Sequence, residues 1–97
     1  MPDAFYIYIM TNKPNGILYV GVTNNIARRT YEHQQGIYKG FTQKYGLKIL
    51  VYYEVYPSPE EAIQAEKRMK KWNRAWKIRR ILMTNPDWKD LSLSLNS

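Results

Sequence analysis

Glu66 is the residue that asks most of its surroundings. At about 100° per residue along the helical segment EEAIQAEKRMKKW, Ala62, Ala65, Met69 and Trp72 share one side, with Trp76 on its continuation, while Gln64, Lys67, Arg68 and Lys71 point away. Glu66 projects roughly 40° from Ala62, so it borders the apolar arc, where an unpaired carboxylate is costly. It needs a cation. Lys70, at the i+4 spacing of a helical ion pair, is the plainer answer; a metal ion or a buried arginine is the sharper one. Arg29 and His33 stand four apart on another helical segment and share a face with Ile26, so a cation and an imidazole emerge on the side that abuts a sheet. Tyr8 and Tyr19 lie on neighbouring strand-like segments, and closure of the hairpin about Lys13 and Pro14 sets them opposite each other on one face. Gly21 shares that face and leaves room for a ligand or another backbone to approach. Plainer roles exist for each: a lone histidine is usually structural, and strand tyrosines are usually core.

The elements that must position these residues are short and well punctuated. AFYIYIM (residues 4–10) alternates aromatic and β-branched residues, TNKPNG supplies turn chemistry, and ILYVGV resumes the strand pattern. Thr23, Asn24 and Asn25 are candidate caps for a helix IARRTYEHQQ that stops at Gly36. GIYKGFTQKYG (36–46) shows neither a helical nor a strand period and reads as a basic loop suited to touching ligands. LKILVYYEVY is a third strand, the centre or a well-covered member of the sheet. Ser58, Pro59, Glu60 and Glu61 open the next helix; Asn73 interrupts it, and RAWKIRRILM continues as a further helix to the Asn85-Pro86 stop. The fold class that follows is α+β: a small three-stranded antiparallel sheet flanked by three helices, in the order β-β-α-β-α-α.

Composition bounds the function. The chain of 97 residues is the size of one ordinary domain and buries only about 60–65% of its unfolded surface. Its core is expected over about residues 4–88, which includes Trp88, with the tail 89–97 loosely held. The absence of cysteine removes disulfides, thiolate metal sites and a cysteine nucleophile. No stretch is apolar enough to span a membrane and no secretory signal is evident, so a cytoplasmic protein is expected. Fifteen Lys and Arg against eight Asp and Glu give a net charge of +7, which steers polyanions to the surface and makes nucleic acid the leading partner class.

In order and spacing, Tyr6-Ile7-Tyr8, Tyr19-Val20-Gly21, Arg29, His33 and Glu66 resemble the GIY-YIG nucleases, a superfamily that includes homing endonucleases and the incision subunit of bacterial nucleotide excision repair. LYVGVTNNIARRTYEH, EAIQAEKRMKKWNRAWK and NPDW resemble more closely its small stand-alone bacterial members. The family's first glycine is Tyr6 here and the isoleucine of the second triplet is Val20. Some excision-repair members carry a lysine three residues after the second tyrosine, where this chain has Val22, which leaves the proton path open.

The resemblance implies phosphodiester hydrolysis, with Tyr8 helping to activate water as general base and Tyr19 orienting water or phosphate. Arg29 suits stabilisation of phosphoryl charge, and His33 suits a proton relay or a phosphate contact. Glu66 is the expected ligand of one divalent cation, Mg²⁺ with Mn²⁺ as substitute. Lys39, Lys44, Lys70, Lys71 and Arg74 are candidates for phosphate contacts that position the strand without reading sequence. DNA is the expected substrate and RNA shares its backbone chemistry; a role in DNA repair or processing follows, with a targeting protein partner and the oligomeric state left open. The alternative is a catalytically weak module that only binds nucleic acid.

Overall fold

Antiparallel pairing of Phe5–Thr11 (β1) with Leu18–Thr23 (β2) and with Ile49–Tyr56 (β3) forms the sheet, in the order β2-β1-β3. A computed structural model describes residues 4–95 and adds four α-helices: α1 (Ile26–Gln34), α2 (Phe41–Tyr45), α3 (Pro59–Lys71) and α4 (Arg74–Thr84), followed by a 3₁₀ turn at Leu91–Ser94. The α+β class and the expected order hold, with one addition. The segment 36–46, expected to be a loop, contains α2. Gly40 (φ 116°) and Gly46 (φ 66°) bound a helix too short to display a period, and Thr42 is its buried residue.

The hairpin register differs from the symmetric closure about Lys13 and Pro14. Tyr8 pairs with Gly21, and Tyr19 with Met10. Residues 12–17 form the connection, closed by Gly16 N–H donating to the Lys13 carbonyl at 2.9 Å and Ile17 N–H donating to Asn12 Oδ1 at 2.9 Å. Every pair therefore moves by two. Because side chains alternate with period two, an even shift preserves faces, and Tyr8 and Tyr19 remain on the same side as diagonal neighbours.

β1 is central and buried on both faces. Ile7 and Ile9 pack with Val20, Val51, Ala65, Met69, Ile81 and Trp88 on the side of α3 and α4. Tyr8 and Met10 pack with Ile26, Leu47 and Leu50 on the other side. Each fully buried Ile, Leu or Met contributes roughly 1.5–3 kcal/mol. β3 is an edge strand, yet Leu50, Val51 and Tyr52 are buried, so it is well covered rather than central.

The helix boundaries follow local chemistry. Asn25 caps α1 by accepting from Arg28 N–H, Ser58 caps α3 ahead of Pro59, and Asn73 caps α4 by accepting from Trp76 N–H. Trp72 takes an extended conformation (ψ 147°) between α3 and α4, which breaks the helical phase. Ala62, Ala65 and Met69 are buried and Trp72 packs against the core as expected, but Trp76 is 55% exposed. Residues 89–95 are attached rather than loose: Asp90 accepts from Leu50 N–H, Gln34 Nε2 donates to Ser92 Oγ at 3.0 Å, and Leu91 and Leu95 pack on the Tyr8 side of the sheet. Asn96 and Ser97 lie outside the described residues.

Candidate active site

The tyrosine side of the sheet gathers four of the expected residues. Tyr8 stands at the centre of β1, fully buried, across from Gly21. A Cβ at Gly21 would run into the Tyr8 ring and hydroxyl, so the room left by this glycine is taken by Tyr8 itself rather than by a ligand. Tyr19 flanks it, with ring centroids 6.3 Å apart.

His33, from α1, is buried at 1% exposure and sits behind Tyr8. Its Nε2 is 2.9 Å from the Tyr8 hydroxyl and its Nδ1 2.8 Å from Thr42 Oγ1. Burial first, and then the charge of Arg29, push the imidazole down to about 4, with Glu32 acting weakly against them. His33 is therefore neutral near pH 7, and its buried position removes it from direct phosphate contact. Burial also pushes the Tyr8 phenol up, opposed by the Arg29 guanidinium beside it. Tyr19 is pushed up to about 12, by burial and then by Tyr38, with Arg29 again opposing.

Arg29, one turn before His33, is held on several sides. Its guanidinium carbon lies 4.4 Å from the centre of the Tyr38 ring, Nη1 donates to the Val22 carbonyl at 3.4 Å, and Nε is 3.3 Å from a Glu32 carboxylate oxygen. That last pair attracts by charge without hydrogen-bond alignment. The Val22 position, which carries no lysine, supplies a backbone acceptor that orients Arg29 instead.

Glu66 lies on α3, and its charge acts on Tyr19 of the edge strand β2. Its side chain is 15% exposed and pairs with Lys70 at 3.0 Å, so the plainer partner named by helix spacing is present. Among the described residues no group of three or more His, Asp or Glu gathers as a metal cage. A single carboxylate such as Glu66 is enough to hold a hydrated divalent ion of the Mg²⁺ kind, which keeps most of its waters.

The basic candidates are dispersed. Lys39 and Lys71 are exposed, and Lys44 lies 5.4 Å from the centre of the Tyr45 ring. Lys70 is engaged by Glu66. Arg74 donates to the carbonyls of Asn15 and Gly16, both at 2.6 Å, and ties α4 to the hairpin turn. Two residues of the site escaped the sequence reading: Tyr38, whose ring lies under Arg29 and meets His33 edge to face, and Thr42, which holds His33 Nδ1. Both lie in the segment 36–46, whose only signal was its polar and aromatic composition.

A catalytic fold with paired strand tyrosines, an arginine and histidine on the first helix, and a glutamate on a later helix defines a recognisable class. The chain belongs to the GIY-YIG family: the family model described as the GIY-YIG catalytic domain matches residues 4–79. Members of this family are generally nucleases, and nuclease-type chemistry on nucleic acid is what the domain implies. Among small bacterial relatives, the chain is similar to a UPF0213 protein of Staphylococcus haemolyticus (strain JCSC1435), 34% identical over 76 residues, covering 78% of this chain and 92% of that protein. A UPF0213 protein of Clostridium perfringens (strain 13 / Type A) is 36% identical over 76 residues, 78% of this chain and 81% of that protein. The solution NMR structure of a UPF0213 protein from Bacillus halodurans superposes with a TM-score of 0.57 at 29% identity, over 90% of this chain and 92% of that one.

Proposed function

We propose that this chain is a metal-dependent endonuclease that hydrolyses phosphodiester bonds in DNA, selecting structure more than sequence and serving repair or processing. The observation that carries the reading is the Tyr8 hydroxyl hydrogen-bonded to a buried, neutral His33. With the raised phenol pKa, Tyr8 does not ionise alone at neutral pH. In the tautomer that leaves Nε2 bare, Nδ1–H donates to Thr42 and the Tyr8 O–H donates to Nε2, which aims a Tyr8 lone pair at an incoming water.

Attack then forms the water oxygen to phosphorus bond as the opposite phosphorus to ester-oxygen bond breaks. The water proton passes to the Tyr8 oxygen while the Tyr8 proton passes to His33 Nε2. A phosphate docked at Arg29 offsets the positive charge that depresses His33, so substrate binding makes the imidazole a better base. Arg29 also faces the negative charge gathering on the phosphoryl oxygens. Glu66 would hold the divalent ion, which supplies further charge stabilisation and assists the leaving oxygen. Tyr19 orients the water or phosphate.

One observation favours a second reading, a module that holds nucleic acid without cutting it: Glu66 is already ion-paired with Lys70. The test is cleavage of labelled branched and single-stranded DNA and RNA with Mg²⁺, Mn²⁺ or EDTA, by wild type, Glu66→Ala and Arg29→Ala. Metal-dependent cutting lost in both variants supports the nuclease. No cutting, with salt-sensitive binding indifferent to Glu66→Ala, replaces it with the binding module.

A further inference from the structure

We propose that Phe41 and Tyr45 form a stacking platform for an unpaired DNA base beside the phosphate handled by Arg29 and the tyrosines. The inference rests on the nuclease reading and names the form of strand that the site accepts. α2 turns Thr42 inward onto His33 and leaves its two aromatic residues facing outward, Phe41 47% exposed and Tyr45 43% exposed. Their ring centroids are 4.8 Å apart. Phe41 lies nearly parallel to Tyr19, 6.2 Å away at an interplanar angle of 22°. A row of rings, Tyr19, Phe41 and Tyr45, thus leads from the site to the surface.

The charge around this row suits a polyanion. No acidic residue occurs between Glu32 and Glu54, whereas Lys39, Lys44 and Lys48 fall in that stretch, and Lys44 stands over the Tyr45 ring. A protein partner recognised through this surface would itself have to be acidic, whereas a nucleic-acid strand brings both the negative charge and the flat apolar faces that exposed rings take. Aromatic faces flanked by cations are the ordinary means of holding a single strand, because every base offers a π-face once it leaves the duplex stack. In a duplex those faces are covered and only base edges reach the grooves. The platform therefore discriminates for frayed, flapped or single-stranded DNA without reading sequence.

The test measures binding of the full chain, in EDTA, to a labelled DNA strand, to its duplex, to the same strand lacking its bases at successive positions, and to an RNA strand of equal length. Phe41→Ala and Tyr45→Ala are expected to weaken single-stranded DNA binding roughly 5- to 150-fold, as stacking one base implies. Duplex binding changes little and Phe41→Trp restores affinity. Removing the stacked base should cost wild type as much as Phe41→Ala does, and cost that variant nothing more. Equal losses on strand and duplex, an unchanged affinity in a variant whose circular dichroism matches wild type, or indifference to base removal overturns the platform. A loss confined to RNA overturns the DNA assignment. Should Phe41→Ala fail to fold, Tyr45→Ala and the base-lacking strand on wild type decide the matter. Binding without metal separates this outcome from the nuclease reading: a chain that never cuts can still stack bases, and one that cuts can fail to.

Discussion

The Tyr8 hydroxyl and His33 Nε2 lie 2.9 Å apart inside the protein, joining the central strand to the first helix. The other ring nitrogen of His33, Nδ1, is held by Thr42, and the Arg29 guanidinium lies on the other side of the Tyr8 hydroxyl. If this pair moves the proton, Tyr8→Phe and His33→Ala should each lower kcat on a labelled strand by roughly 10²–10⁴, the usual worth of general-base assistance. The double variant should be no slower than the worse single one, because both remove the same step. Additive losses would show two independent roles.

The depressed His33 also shapes stability. Below pH 6.5 the unfolded chain binds a proton that the folded protein refuses until about pH 4. This contribution is thus fully present above pH 6.5 and is lost as pH falls toward 4, a change of up to about 3 kcal/mol. Urea midpoints measured from pH 7 to pH 4 should fall steeply in wild type and less steeply in His33→Gln.

Gly21→Ala puts a methyl group into the Tyr8 ring. Overpacking of this kind costs about 1–3 kcal/mol and displaces the phenol from His33. Denaturant unfolding and cleavage assays should both register the change. A variant of full stability and activity would mean that the strands separate easily at this pair.

Arg29→Lys keeps the charge but gives up the planar fork and the stacking on Tyr38. The kcat should drop by roughly 10²–10³, as when one donor to a developing oxyanion is removed. Retention of activity in the lysine variant would reduce Arg29 to a simple point charge.

Lys70 competes with any cation for Glu66. A helical i+4 pair is worth about 0.3–0.5 kcal/mol, so Lys70→Ala should lower the half-saturating Mg²⁺ concentration in the cleavage assay by roughly twofold, with the saturated rate little changed. A higher half-saturating concentration would instead make Lys70 a phosphate contact.

Local chemistry made much of this molecule legible in one dimension. Asn25, Ser58-Pro59 and Asn73 mark helix starts through bonds that span three residues, and Ala62, Ala65 and Met69 mark a buried stripe by period alone. The same arithmetic placed Glu66 at the border of the core with Lys70 in reach. Tyr8 and Tyr19 fell on one face because the register error was even. What tertiary structure decided was the register itself, set by how Asn12 and Lys13 close the turn, and the loss of helical phase at Trp72 that exposes Trp76. It also decided the contacts of His33 with Tyr8 and Thr42, and the existence of α2. Those depend on groups that meet only after strands and helices pack, where burial and neighbouring charge, rather than residue type, set the protonation of the imidazole and the phenol.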